Sequence, residues 1–556
     1  MKKIILLLGV VAGLAMMTGC DKFLTPTEYG APTEELTSQE DIWKMVLGIY
    51  SQTSNDHNDS NAEAATGRGI MYYEGASDNY TIGNTNADAF SIRNFTMTST
   101  TGRDQKEVWR EWYRVNGKCN NVINLVKNTP GLDQNFANKA MGTALFWRGL
   151  AMLWIAPYYG DNGPNGGIPI VLEDTNPAYI DVPRPASILE NYDQMYKDFT
   201  AAADLLPYFS ELPENEWGLP HKGACWAFAA RVALYASEYD SKYYNDVITM
   251  CDKVMGMTGS DKRDLYTDSS ANPFASLWTR ANNYSCEYLF SLVGSPEAGP
   301  KFHNMSFVNG GYNLYNSWGL FQPSYNLYQA FEEGDLRRAA TFVMPGETIR
   351  FMSVDIPYGG RLERADRPGR YTNYAVGSDS GFTWRKFMWP WTEASWKGIE
   401  FASDGNYGSN TLGQCLMRYA DVLLMKAEAL IWTKGEGDSE AISLLNQIRK
   451  RAGLPQDSRA TKAQLKNERR CELAHEYMPS RWRDIIRWGD AKELISQPTL
   501  KIVSHVDMTT NKAVIDRIEH YDEGRPQFDP TKNHVFAIPS YAFDGLTQLK
   551  QNEGYN

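Results

Sequence analysis

The sequence predicts a mostly α-helical protein built on pairs of packed helices, with an irregular, loop-rich part attached to them. Two observations predict this fold class. Four long stretches, one of which holds two helices, carry apolar residues at helical spacing. Two other regions, residues 55–105 and 270–412, mix polar residues, glycine and aromatics with little periodicity. Because binding residues tend to lie in loop-rich surface, we expect these two regions to carry the functional site.

The first twenty residues, MKKIILLLGVVAGLAMMTGC, have the layout of a bacterial lipoprotein signal. Lys2 and Lys3 precede an apolar core that is too short for a permanent membrane helix, and small residues stand directly before Cys20. We therefore expect residues 1–19 to be removed and Cys20 to carry lipid. Several acyl chains would hold the protein on a bilayer surface without crossing it, and the polar residues 20–38 would form a tether.

The first strong helix is TALFWRGLAMLWIAPYY, residues 143–159. One apolar face is formed at positions i, i+3, i+4 and i+7 by Trp147, Leu150, Ala151 and Trp154. Pro157 is predicted to end the helix, because proline lacks the N–H that continues the hydrogen-bond ladder.

Two further helices are predicted over residues 221–239 and 243–255, with small residues where they would touch. The last two are RYADVLLMKAEALIW, residues 418–432, and AISLLNQIRKRAGL, residues 441–454, joined by the turn GEGDSE. A helix, a glycine-rich turn and a second helix of this combined length match the size of a tetratricopeptide-type unit.

The net charge of −12 argues against nucleic acid or anionic lipid head groups as the main partner. Aromatic residues make up 13% of the chain, including 16 Trp and 32 Tyr, which is a surplus that a sugar-stacking surface would need. The six cysteines other than Cys20 form no CxxC motif, so we expect buried free thiols. One or two disulfides, as occur in exported proteins, are the alternative.

Several blocks of the chain resemble the SusD/RagB-like outer-membrane lipoproteins of the Bacteroidota. The helix pair just described is similar to that family's RYAEVLL and RAGLP blocks, and ERRCELAHEYMPSRWRDIIRWGDA is similar to its ERR and RWG signature. The closing NHVFAIPSYAFDGLTQLKQNEGYN resembles the family's C-terminus, with Glu553 in place of proline. Upstream blocks such as VWREWYRVNGKCNNVI and FWRGLAMLWIAPYYGDNGPNGGIPIV extend the resemblance over nearly the whole mature chain.

The resemblance implies a SusD-like fold, in which tetratricopeptide-like helix pairs form the scaffold and an irregular lobe holds the ligand. The body would be a single unit over residues 39–556, with its scaffold mainly in residues 106–260 and 413–500. The family lies at the cell surface on the outer membrane, over a SusC-like TonB-dependent transporter, and captures oligosaccharides for nutrient uptake. Members that resemble RagB take peptides instead. The family is not enzymatic and uses no cofactor.

Candidate ligand-binding residues come from three places in the loop-rich regions, where flat rings alternate with planar polar side chains. We expect Trp389 and Trp391 to be the leading platforms, because Pro390 between them keeps the chain extended. The remaining candidates are Trp384, Trp318, Tyr312, Tyr315, Asn313, Asp78, Asn79 and Tyr80. For each single aromatic residue, burial in the core is the alternative.

Charged residues of two motifs, Arg481 to Gly489 and the triplet Glu468, Arg469 and Arg470, are expected to join helices and not to bind ligand. The sequence carries no G-x-S-x-G, no H-E-x-x-H, no P-loop and no metal-binding cysteine spacing, which argues against an enzyme and against a metal site. The first hypothesis is therefore a glycan-binding surface lipoprotein. A peptide-binding, RagB-like lipoprotein and a surface glycoside hydrolase are the alternatives.

Overall fold

The computed structural model describes residues 38–53, 73–83, 87–175, 181–292, 321–351, 354–358, 361–364, 367–373, 379–386, 413–476, 478 and 480–555. Helices dominate these residues. They are α1 (Gln39–Thr53), α2 (Ala87–Arg93), α3 (Arg103–Asn128), α4 (Gln134–Tyr159), α5 (Ile188–Leu205), α6 (Lys222–Ala236), α7 (Tyr244–Met255), α8 (Pro273–Leu277), α9 (Tyr325–Ala330), α10 (Leu336–Thr341), α11 (Tyr419–Lys434), α12 (Ser439–Arg451), α13 (Lys462–Glu472), α14 (Arg481–Arg487) and α15 (Ala491–Ser496).

The long helices form a continuous row in which neighbours in sequence are neighbours in space. Helices α3 to α7 pack pairwise in order, and α7 packs against α11, which in turn packs against α12 and α13. The row therefore joins the N-terminal helices to the helix pair near the C-terminus. The predicted mostly α-helical class and the predicted helix pairs are confirmed.

Helix α4 begins earlier than the sequence predicts, and Pro157 does not end it. It starts at Gln134, where the Asp133 side chain accepts a hydrogen bond from the Phe136 N–H and caps the first turn. It also runs past Pro157 to Tyr159. A proline in the last turn removes one hydrogen bond only, and the Gly160 N–H still donates to the Ala156 carbonyl at 3.0 Å.

The strands form short antiparallel pairs and no larger sheet among the described residues. The pairs are β1 (Tyr80–Ile82) with β3 (Phe321–Pro323), β2 (Tyr288–Leu292) with β10 (Gln414–Arg418), β4 (Phe342–Val343) with β9 (Thr383–Trp384), β5 (Thr348–Phe351) with β6 (Val354–Pro357), β7 (Arg361–Arg364) with β8 (Arg367–Asn373), and β11 (Thr499–Asp507) with β12 (Lys512–Asp522).

One large hydrophobic cluster runs through the described residues, from Ile42 on α1 to Leu549 near the C-terminus. Large aromatic residues fill its centre, among them Trp112 and Trp154, whose rings stack at 5.5 Å. The six cysteines outside the signal are free thiols, as expected; four are buried, Cys415 is half-buried and Cys286 is exposed. No helix in the described part of the chain is long and apolar enough to cross a membrane.

Candidate functional site

Four short strands meet at the base of the loop-rich part. Strand β1 pairs with β3, so that Ile82 lies opposite Phe321, and β9 pairs with β4, so that Trp384 lies opposite Phe342. The Trp384 indole N–H donates to the Phe321 carbonyl at 2.8 Å and ties the two pairs together. The ends of residues 293–320 and 387–412 therefore join the described chain near one another, next to Phe321 and Lys386.

Trp384 lies in the core and is not a surface platform, so the expectation that it stacks on a ligand is wrong. Its side chain is fully buried. The ring stacks on His475 with centroids 4.1 Å apart and planes 5° from parallel, and Phe342 covers it at 5.7 Å. With its N–H bonded and both neighbours packed against it, the indole has no open face to offer a sugar.

The two charged side chains that follow Trp384 also form contacts within the fold; Lys386 is buried and Arg385 is partly exposed. Lys386 is 1% exposed; its ammonium group bonds Glu476 at 2.7 Å and lies 4.3 Å from the centroid of the Trp278 ring. Burial is the main influence on this ammonium group and lowers its pKa to about 8. The neighbouring Arg385 forms an ion pair with Glu347.

Asp78 and Asn79 bind the side chains of Arg470 and Arg481, and we call these four residues the clamp. Because Asp78 and Asn79 are largely enclosed by these contacts, direct contact of either residue with a ligand is disfavoured. Asp78 forms ion pairs at 2.9 Å with both Arg470 and Arg481. Burial disfavours the charged form of Asp78, but the two guanidinium groups outweigh it and hold the pKa of Asp78 well below its usual range. Asn79, 2% exposed, accepts a hydrogen bond from Arg470 at 2.8 Å.

Tyr80 is likewise a core residue in the structure, with 1% of its surface exposed and its ring 5.3 Å from that of Trp384. The segment of residues 77–80 thus positions strand β1 and presents little side-chain surface to solvent. The arginines that bind it come from motifs about four hundred positions later, so no local sequence pattern indicated the clamp.

The arginines of the two C-terminal motifs are structural, as expected. Arg469 binds Asp421 and Asp484 at 3.0 and 3.1 Å, and Arg487 binds Glu428 at 2.7 Å. These buried pairs join helices α11, α13 and α14. Arg483, also buried, pairs with Glu238.

The remaining predicted site residues lie outside the described residues. They are Trp389, Trp391, Trp318, Tyr312, Tyr315 and Asn313. The same is true of Cys20, of the signal and of nearly all of the tether. Their assignment stays a prediction.

Helix α9 carries an aromatic pair that the sequence analysis did not identify. The pair contacts Phe342, the strand partner of Trp384. Tyr325 and Tyr328 stack with centroids 5.2 Å apart and planes 15° from parallel, and both rings are partly exposed. The i, i+3 spacing of two tyrosines in PSYNLYQAF places both rings on one side of the helix, which was the available signal. Phe382 and Phe342 connect the pair to the core.

A surface cleft of about 580 Å³ lies elsewhere, between the loop that follows α4 and the C-terminal loop. Its charged groups are already engaged: Asp161 bonds His534 at 2.8 Å, and Glu238 is paired with Arg483. No group of three or more His, Cys, Asp or Glu side chains that could hold a metal ion occurs in the described ranges.

Two family models match the chain in order. Residues 22–234 match the model described as "Starch-binding associating with outer membrane", and residues 309–555 match the model of the SusD family. A SusD-like protein, P2, of Formosa agariphila is 25% identical over 558 residues, covering 95% of this chain and 94% of that protein.

Solved structures share the fold. A SusD-like protein from Bacteroides fragilis superposes with a TM-score of 0.71 at 21% identity, covering 94% of this chain and 99% of that one. A laminarin-binding SusD-like protein gives a TM-score of 0.66 at 20% identity over 93% and 99%. Surface glycan-binding protein A from Bacteroides thetaiotaomicron, in complex with laminarihexaose, gives 0.66 at 16% identity over 92% and 99%. The two family models together span most of the chain, so the protein belongs to the SusD/RagB family.

Proposed function

We propose that this protein is a lipid-anchored, glycan-binding protein of the outer-membrane surface. It captures oligosaccharides and passes them to a SusC-like TonB-dependent transporter for nutrient uptake. The observation that carries the proposal is the ordered match of both family models along the chain, one of them described as starch-binding. Two proteins of the same fold that bind laminarin or laminarihexaose support a saccharide ligand.

The loop-rich lobe is the proposed place of capture. Residues 293–320 and 387–412, which contain Trp318, Trp389 and Trp391, join the described chain beside the paired strands around Trp384. The rigid base supports this proposal, because binding loops held by a fixed frame need less ordering when a ligand arrives. Trp389 and Trp391 are the proposed platforms.

Affinity gel electrophoresis with laminarin and soluble starch tests this function. The purified protein should be retarded by at least one polysaccharide. The double variant Trp389→Ala with Trp391→Ala should lose the retardation, while its melting temperature stays close to that of the wild type. Trp432→Ala is the matched control, because Trp432 is a partly exposed tryptophan on scaffold helix α11, beneath Lys462. Retardation by peptides and by neither polysaccharide would contradict the proposal.

The anchor and the absence of catalysis have separate tests. Cys20→Ala should move the protein from the membrane fraction to the soluble fraction, since the acyl chains would have no attachment point.

Release of reducing sugar from a bound polysaccharide, abolished by a single carboxylate substitution, would instead favour the glycoside hydrolase alternative. Co-purification with a TonB-dependent barrel from the native membrane tests the partner.

A further inference from the structure

The tyrosine pair of helix α9 differs from the other ring stacks in the described residues. In each of those stacks at least one ring is buried, as in Trp112 with Trp154 or Trp384 with His475. Tyr325 and Tyr328 are both partly exposed, although they are as closely parallel as rings inside the core. Part of each of these two rings is therefore accessible to solvent.

Polar groups without partners surround the pair. Neither tyrosine hydroxyl has a hydrogen-bond partner within the described ranges. The Arg338 guanidinium lies 5.1 Å from the centroid of the Tyr328 ring and forms no ion pair with a described residue, whereas the adjacent Arg337 is buried and bound to Asp335 and Glu468. The rim of the stack therefore carries hydrogen-bond donors that no described residue engages.

The helix that carries the pair is held rigidly. The Asn326 amide donates to the Pro498 carbonyl at 3.0 Å and accepts from the Leu500 N–H at 2.7 Å, which fixes α9 against strand β11. Ser324 caps the helix and donates to the Asp78 carbonyl at 2.8 Å. Because both rings are oriented before any ligand arrives, little conformational entropy is lost on binding.

We propose that Tyr325, Tyr328 and Arg338 form a sugar-stacking subsite. The solvent-exposed part of the Tyr325 ring takes the apolar C–H face of a pyranose ring. The two tyrosine hydroxyls, with the Arg338 guanidinium beside Tyr328, bond the sugar hydroxyls. The inference rests on the proposed glycan-binding function and adds a described binding place to it. A sugar fits better than an apolar peptide side chain, since Gln329 and Glu333 on the same surface are polar and exposed.

Substitutions at Tyr325 separate stacking from packing. Tyr325→Leu keeps apolar bulk but removes the flat ring, so affinity for the laminarin or starch oligosaccharide that the wild type binds should fall about five- to tenfold. Tyr325→Phe keeps the ring and should retain most of the affinity. Tyr196→Leu changes a partly exposed tyrosine of helix α5 and should leave binding unchanged. Isothermal titration calorimetry measures each affinity, and thermal melting is recorded for every variant.

The outcomes distinguish this subsite from the general function. If the wild type binds saccharide and Tyr325→Leu binds equally well, the subsite is overturned and the proposed function stands. If the wild type binds neither laminarin nor starch oligosaccharides, both are overturned. If Tyr325→Leu melts far below the wild type, the ring has a packing role and the subsite is overturned as well.

Discussion

Single side chains of this protein take their role from what surrounds them. Trp384 and Tyr325 are both aromatic residues of the loop-rich lobe, yet the first is fully buried against His475 and the second is partly open to solvent. A tryptophan enclosed on both faces contributes its whole buried surface to stability. A tyrosine with one open face can contribute to binding instead.

Trp384→Ala should therefore damage stability and not recognition. Removing a fully buried indole that also donates a hydrogen bond to Phe321 should lower the free energy of unfolding by about 3–5 kcal/mol. Urea unfolding measures the loss. Affinity of the folded fraction for saccharide should stay near the wild-type value, and a variant with native stability but no binding would restore the platform role of Trp384.

The buried carboxyl group of Glu74, near strand β1, is expected to make the stability of the protein depend on pH. Glu74 is 2% exposed; it accepts hydrogen bonds from the Arg481 N–H at 3.1 Å and from the Ser480 hydroxyl, at the N-terminus of α14. Burial is the main influence and raises the pKa of Glu74 to about 7, although these donors oppose the shift. Asp484 nearby also favours the protonated form.

The raised pKa predicts a stability that falls as pH rises. Between about pH 4.5 and pH 7 the folded state holds a proton that the unfolded chain releases, so folding loses up to about 3 kcal/mol across this window. In Glu74→Gln, the free energy of unfolding should therefore decrease less between pH 5 and pH 8 than in the wild type. Urea unfolding at pH 5, 6, 7 and 8 measures this pH dependence for both proteins. Glu190→Gln, at an exposed position on α5, is the control. Identical slopes for wild type and Glu74→Gln would contradict the prediction.

Residues of the connecting turn set the end of helix α11 and the start of helix α12. Helix α11 stops where Gly435 takes a positive φ of 93°, a conformation that favours glycine. Helix α12 starts where the Asp438 carboxylate accepts from the N–H groups of Glu440 and Ala441 at 3.1 and 3.0 Å. Both signals lie within the turn between the helices, so this pair could be predicted from local sequence.

Asp438→Ala should lower the free energy of unfolding by about 1 kcal/mol, because two N–H groups of the first turn lose their acceptor. Asp438→Asn keeps an acceptor oxygen and should cost little. Chemical unfolding of the three proteins side by side measures the difference. An alanine variant as stable as wild type would show that water replaces the cap completely.

At the scale of the whole molecule, buried polar contacts join parts of the chain that are far apart in sequence. Arg418 on β10 binds Glu287, Glu472 and Glu476 within 2.6–2.8 Å, all of them buried. These pairs tie the β2–β10 ladder to the C-terminal end of α13. Their geometry depends on three chain segments meeting, which no local pattern specifies.

A residue near the C-terminus, Asn552, also forms buried hydrogen bonds with distant parts of the chain. Asn552 donates to the carbonyls of Tyr159 and Phe536 at 3.1 and 2.7 Å and accepts from Arg184 at 2.7 Å. Burial is the main influence on the Arg184 guanidinium and lowers its pKa to about 10. These contacts form a clasp between the C-terminal segment and the residues around Tyr159 and Arg184.

Asn552→Ala should lower the free energy of unfolding by about 1–3 kcal/mol, since it removes three side-chain hydrogen bonds and takes the amide donor of Asn552 from the buried Phe536 carbonyl. Asn135→Ala, at an exposed position in the first turn of α4, is the matched control and should change little. Equilibrium unfolding in urea checks both. Equal stability of the two variants would show that the clasp is dispensable.

Sequence patterns by themselves determined the helical class, the helix pairs and the structural role of Arg469 and Arg487, because periodicity and capping act within a few residues. The family resemblance also lay in contiguous motifs. Only the tertiary structure decided which polar and aromatic residues are exposed. Asp78 looked like a ligand contact until Arg470, 392 positions later, was found against it, and Trp384 looked like a platform until His475 covered its face. Burial depends on neighbours that folding brings from distant parts of the chain, so one-dimensional spacing cannot specify it.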